Sequence, residues 1–252
     1  MPTNDAIKKI IADMKKADPN RSPRFTRMDV DGDGKKDLFI WEVTGDMSPR
    51  TDLYFFQCGA DGRLPERPTQ ILHCRGFPIP IGNTETASPV GDLKGDGGCQ
   101  LVLLEMKSTV MSANSVVEMA LSRGIDWELT IRSFNHGVFS RNADAAIPMT
   151  SLLSIGGQDQ WGFFICGDFN GDGRPDLVIK RTATQWNILF STNEGKWFAP
   201  RPAITFDAPI SGYFEIEDLN GDGRADIILR DWIDPRVYLF LSQPQPRRKA
   251  NP

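Results

Sequence analysis

The sequence predicts an all-β chain. It reads as a β-propeller-like array of four repeat units, a small closed ring or a partial one, with a short N-terminal helix and one inserted helix. Three observations carry that expectation. An Asp- and Gly-rich loop recurs four times, each copy runs into a short apolar segment, and Gly-bearing turns separate the strands that follow. Recurrence of one supersecondary unit is the sequence signature of repeat architectures.

The chain has 252 residues, of which 40% are hydrophobic and 25% charged, enough apolar content for a packed core. It divides into an N-terminal helix and linker over 1–24, the repeats over 25–242 and a flexible tail over 243–252. The N-terminal segment places Ile7, Ile10, Ile11 and Met14 at helical spacing, and Asp18-Pro19 ends it. The repeat units lie near 25–86, 87–160, 161–211 and 212–242.

The four loops begin at Asp29, Asp92, Asp168 and Asp218. Each leads into an apolar run: Leu38-Phe39-Ile40-Trp41, Leu101-Val102-Leu103-Leu104, Leu177-Val178-Ile179 and Ile227-Ile228-Leu229. Short runs rich in β-branched residues read as strands, and apolar residues at consecutive positions imply burial on both faces. A second strand follows in each unit, at Leu53–Phe56, Trp127–Ile131, Trp186–Phe190 and Val237–Leu241. Asp61-Gly62, His136-Gly137 and Glu194-Gly195 supply the next hairpin turns in the first three units. A strand entering each loop, such as Trp161–Cys166, brings the count to about four per unit, the content of a propeller blade. The last unit stops after its second strand and is one strand short. In the long second unit, Ser108–Gly124 predicts a helix carrying Met111 and Met119, an adaptable surface on an insertion.

The loop chemistry points to calcium, which takes six to eight oxygens. Positions one, three and five turn side chains inward, position seven offers a backbone carbonyl and position nine a carboxylate. The first loop supplies Asp29, Asp31, Asp33, the Lys35 carbonyl and Asp37. The third supplies Asp168, Asn170, Asp172, the Arg174 carbonyl and Asp176. The fourth supplies Asp218, Asn220, Asp222, the Arg224 carbonyl and Asp226. An EF-hand would put Glu at position twelve and open into a helix, but Ile40, Ile179 and Leu229 stand there and a strand follows. The second loop keeps Asp92 and Asp96 but places Lys94 at a ligand position and Gln100 at the ninth. Three Ca²⁺ sites and a degenerate fourth are expected, with the ions bracing the fold.

These loops, with the trailing segment Leu189 to Pro200, resemble the FG-GAP/VCBS repeat family of integrin α-subunit propellers and bacterial secreted proteins. The resemblance covers about residues 25–242. It implies a propeller whose calcium sites stiffen the blade hairpins and whose members bind proteins or sugars, some degrading polysaccharides. Family propellers usually have seven or eight blades, so four units leave ring closure open.

Other chemistry is sparse. Net charge is −4, and twelve of the 33 acidic residues sit in the loops, so the acidity is local and no nucleic-acid stripe is present. No apolar stretch is long enough to span a membrane. Cys58, Cys74, Cys99 and Cys166 form no C-x-x-C pair and read as small buried thiols. His73 on a strand and His136 in a turn are the two histidines, and no hydrolase, P-loop or metalloprotease motif appears. The expectation is a non-enzymatic calcium-binding module whose partner is a protein, the alternative being a carbohydrate-binding module or a polysaccharide-degrading enzyme. Trp197 and Trp232 are the aromatics that would stack on sugars, and an open array would leave room for self-association. Loops of this kind suit extracellular or periplasmic calcium, although no signal peptide is visible.

Overall fold

The computed structural model describes residues 5–17, 23–44, 50–79, 81–82, 88–106, 124–152, 163–165, 167–180, 184–192, 197–208, 212–231 and 236–243. The inserted helix expected over Ser108–Gly124 falls almost wholly outside them, as do Cys166, Trp232 and the tail beyond Gln243. The chain separates into two compact units. The first holds residues 1–79, 88–92 and 96–153, and the second 80–87, 93–95 and 154–252.

The first unit opens with α1 (Asp5–Ala17), whose Asp5 and Lys15–Lys16 complement the helix dipole at its two ends. Its first sheet runs in the order β1 (Arg24–Met28), β2 (Asp37–Thr44), β3 (Arg50–Phe56) and β4 (Gln70–Cys74), all antiparallel. Ladder partners share a face, so Phe39 opposite Phe55 and Trp41 opposite Leu53 point one way, and Leu38 opposite Phe56 points the other. The unbroken apolar run Leu38–Trp41 is therefore buried on both sides, as its pattern requires.

The second sheet contains β5 (Gly76–Pro78), β6 (Val90–Gly91), β7 (Gln100–Met106), β8 (Gly124–Asn135), β9 (Val138–Phe139) and β10 (Ala145–Leu152). Its main order is β10-β8-β7-β5, with β6 on β7 and β9 on β8. β5 can approach β7 only because Gly76 has no side chain: its φ is +145° and a Cβ there would lie 1.9 Å from the Leu104 carbonyl oxygen. Phe39, Trp41, Leu53 and Phe55 of the first sheet form one core with Val90, Leu101, Leu103 and Phe139 of the second. Phe39 and Phe55 stack at 4.8 Å and Phe139 meets both edge-on. On the opposite face of the first sheet, Ile7 and Ile10 of α1 cover Leu38, Ile40 and Phe56.

The second unit holds β11 (Phe163–Ile165), β12 (Leu177–Lys180), β13 (Gln185–Leu189) and β14 (Ile204–Asp207) in sequential antiparallel order. A three-stranded sheet follows: β15 (Gly212–Glu217), β16 (Asp226–Asp231) and β17 (Val237–Phe240). Val178, Trp186 and Ile188 of the first of these sheets pack against Ile227 and Leu229 of the second. The protein is thus mostly β, in four antiparallel sheets, with one helix among the described residues.

Candidate metal centre

All four Asp-rich loops sit immediately before the strands β2, β7, β12 and β16, and all share one backbone solution. Glycines at the fourth and sixth positions of each loop have φ between +68° and +84°, where a Cβ would be strained. The first-position aspartate then collects backbone N–H groups as the chain curls round it. Asp29 accepts from Gly32, Asp33 and Gly34 at 2.8, 3.1 and 2.8 Å. Asp168 accepts from Gly171, Asp172 and Gly173, and Asp218 from Gly221, Asp222 and Gly223. Asp92 in the second loop accepts from Asp96 and Gly97. The N–H groups converging on Asp218, led by that of Gly223, hold its carboxyl below the ordinary value.

The ninth-position aspartates have a role that the sequence does not disclose. Asp37 is buried, with one oxygen accepting from Val30 N–H at 3.0 Å and the other from Cys58 N–H at 2.7 Å. Asp176 does the same with Phe169 and Ser191 at 2.9 and 2.8 Å. Asp226 does so with Leu219 and Ser242 at 3.0 and 2.8 Å. Each carboxylate therefore ties its own loop to the chain leaving the next strand of the sheet, 21, 15 or 16 residues further on. The partners are backbone amides, so no side-chain motif marks Cys58, Ser191 or Ser242. Burial pushes Asp37 upward and Asp176 up to about 7, against the downward pull of those N–H donors.

The second loop carries Gln100 at this position. Gln100 is buried and its Nε2 donates to the Gly98 carbonyl at 2.8 Å, closing its own loop. Lys94 places its Nζ 4.8 Å from the centre of the Trp197 ring. That cation occupies one face of Trp197, the aromatic expected to stack on sugars.

The fifth-position aspartates turn toward the cation two residues on. Asp33 meets Lys35 Nζ at 2.6 Å, Asp172 meets Arg174 at 2.6 Å and Asp222 meets Arg224 at 3.3 Å. The Lys35 hydrogen bond holds Asp33 below the ordinary carboxylate value. For Asp172, burial pushes up but hydrogen bonds from Arg174 and Asn170 outweigh it, leaving the carboxyl lowered. At the third position, Asp31 accepts from Gln57 Nε2 at 2.6 Å, while Asn170 and Asn220 accept from the backbone of Asp172 and Asp222.

The first loop gathers the densest charge. Carboxylate oxygens of Asp29, Asp31 and Asp37 all lie within 4.8 Å of one another, a unique grouping among the described residues. An ion with oxygen ligands at 2.3–2.6 Å needs its ligand oxygens no more than about 5 Å apart, so this donor set fits calcium. It lacks the nitrogen and sulfur that zinc favours. Beside it opens a shallow cavity of about 430 Å³ lined by Asp31, Gln57, Gly98, Phe134, Asn135 and His136 among others. His136 takes φ +51° before Gly137 at +82°, the pair of positive φ values of a tight hairpin turn. His73 is exposed on β4 and pairs with Asp52 at 2.6 Å. Neither histidine belongs to the carboxylate group.

Residues 168–229 match the FG-GAP-like repeat, spanning the third and fourth loops and the strands between them. No curated protein matches the chain.

Proposed function

We propose that the chain is a calcium-braced, β-propeller-type array that serves as a non-enzymatic binding module for another protein. The observation that carries this reading is the Asp29, Asp31 and Asp37 group, whose oxygens lie within 4.8 Å of one another, in a loop repeated almost residue for residue in the FG-GAP-like region. The first ion would be held by Asp29, Asp31, Asp33, Asp37 and the Lys35 carbonyl. Asp168, Asn170, Asp172, Asp176 and the Arg174 carbonyl form the second donor set. Asp218, Asn220, Asp222, Asp226 and the Arg224 carbonyl form the third. A bound ion supplies positive charge where carboxylates crowd, and it competes with Lys35, Arg174 and Arg224 for the fifth-position aspartates. The role is structural: an ion on the ninth aspartate is linked through the staple to the end of the next strand. Sites of this kind fill where calcium is abundant, so the reading places the protein outside the cytosol. No helix among the described residues is long and apolar enough to cross a membrane.

The test is calorimetric titration of the chelator-stripped protein with calcium. Three equivalents bound, falling to two in Asp31→Ala, support the reading. An absence of heat and of any thermal shift at millimolar calcium refutes it.

A further inference from the structure

In the second unit, the cation at the seventh loop position lies against the loop before it. Arg174 pairs with Asp172 of its own loop, and its stem rests on Gly95, where a Cβ would meet Arg174 Cγ at 3.2 Å. Arg224 pairs with Asp222 in the same way and rests on Gly171, where a Cβ would meet its Cγ and Nε at 3.6 Å. Both side chains are largely buried there, at 11% and 22% exposure. In the first unit, the first and second loops meet in the register of the third and fourth. Position eight of the later loop touches the first-position carbonyl of the earlier one. Ala225 N–H donates to the Asp168 carbonyl at 2.7 Å, and Cys99 Sγ lies 3.9 Å from the Asp29 carbonyl. The seventh residue of the second loop, however, is Gly98. The cavity of about 430 Å³ opens at that place, with Gly97, Gly98 and Cys99 on one side and Val30 and Asp31 on the other. At Gly32, the counterpart of Gly95 and Gly171, a Cβ would meet no described atom within 4 Å.

We propose that this cavity binds the guanidinium group of an arginine supplied by a ligand, in the place that Arg174 and Arg224 fill from within the chain at the later loops. The charge around it suits a cation. Asp31 lines the cavity, and no lysine or arginine does. Asp96 is the counterpart of Asp172 and Asp222, and its Oδ1 lies 3.1 Å from the position of a Cβ on Gly98. Among the described residues no cation pairs with Asp96, so the guanidinium would meet the same partner that Arg174 and Arg224 find in their own loops. Phe134 adds an aromatic wall for a planar cation. Gln57 donates its Nε2 to Asp31 at 2.6 Å, which leaves its Oε1 to accept, and the Asn135 side chain offers a second carbonyl oxygen. A guanidinium presents several coplanar N–H donors to such spread acceptors, which a compact ammonium cannot match. The proposal stands on the cavity and the loop register, not on bound calcium.

NMR titration of the full chain with N-acetyl-L-arginine methylamide tests it, in millimolar calcium and again in excess chelator. The expected result is a set of saturable shifts at the amides of Gly98, Asn135 and Gly137, with a dissociation constant on the order of 1 mM. The matching citrulline compound has the same shape without the charge and binds at least about tenfold more weakly. Gly98→Arg and Gly98→Met fill the place and abolish the shifts at Asn135, while Gly98→Ala retains them. Asp96→Asn weakens binding about threefold, and Asp61→Asn, on an exposed turn elsewhere, leaves it unchanged. Unaltered dispersion of the remaining resonances confirms that each variant folds. Free L-arginine, titrated alongside, identifies the source of the group. Tighter binding of the capped compound marks a peptide segment and tighter binding of the free amino acid marks a small molecule, and either supports the site. The absence of saturable shifts in both conditions overturns the proposal. So does equal affinity for the citrulline compound, or binding that survives Gly98→Met undiminished.

Discussion

Replacing Asp176 with Asn separates the two roles that the ninth loop position combines. Both Asp176 oxygens are committed to buried backbone donors, Phe169 N–H at 2.9 Å and Ser191 N–H at 2.8 Å. Asn keeps one acceptor oxygen and sets its amide NH₂ against the other donor. One buried N–H then loses its partner, which costs about 1–3 kcal/mol. Asp176→Ala strands both, roughly doubling that loss. Neither cost involves an ion, so both appear in full in excess chelator. Asp172, at the fifth position, is exposed and bonded mainly to Arg174, so Asp172→Asn should change chelator-state stability by no more than about 0.5 kcal/mol. Urea unfolding followed by tryptophan fluorescence reads the difference. With a slope of about 1–3 kcal/mol per molar, Asp176→Asn lowers the midpoint by on the order of 1 M and Asp172→Asn barely moves it. Added calcium then raises the Asp172→Asn midpoint less than that of the wild type. Equal chelator-state midpoints for Asp176→Asn and wild type would refute the staple, leaving the ninth aspartate as a ligand only.

Three further outcomes follow from the same geometry. Lys94→Asn combined with Gln100→Asp rebuilds the second loop's donor set, so calorimetry should count one more calcium per chain than in the wild type. Cys74 is buried on β4, and burial pushes its thiol up to about 11 from 9.0. The folded state therefore keeps a proton that the unfolded chain releases between those values, and stability falls as pH rises through that window by on the order of 1–3 kcal/mol. Urea midpoints from pH 8 to 11 should fall less steeply in Cys74→Ala than in the wild type. Ile10→Asp places a charge against Leu38, Ile40 and Phe56 and should cost about 1–3 kcal/mol, with loss of α1 helicity visible by circular dichroism.

The sequence made some of this legible because its signals are local. Side-chain patterning and the Gly positions of the loops depend on residues a few places apart, so the strands after each loop and α1 could be read in advance. The consecutive apolar residues Leu38–Trp41 correctly implied two covered faces, although not that a helix covers one of them. What escaped depends on contacts between distant backbone groups. Gly76 permits β5 to join the second sheet because Leu104 lies against it, and nothing at position 76 announces position 104. The pairing of Asp33, Asp172 and Asp222 with cations two residues on was concealed because the calcium reading had already given those carboxylates a task.

The staple also explains why the second loop departs from the pattern at two positions. A ninth-position carboxylate accepts from two buried N–H groups and, in the function proposed above, also serves an ion, so keeping it ionised without a nearby cation is costly in a buried site. A loop that lost its ion through Lys94 would retain that cost without the compensation. Gln100 resolves the conflict: it is neutral, it is buried, and its amide donor is satisfied by the Gly98 carbonyl at 2.8 Å. β7 itself is held on one edge by β8 and on the other by β5 and β6, as the strand after each of the other loops is held on both edges. It follows that Gln100→Asp alone, with Lys94 left in place, should destabilise the chain in chelator and recover little in calcium, whereas the double change recovers much more. Thermal midpoints of the two variants in chelator and in calcium decide the matter. If the single variant responded to calcium as strongly as the double, Lys94 would not be what disables the loop.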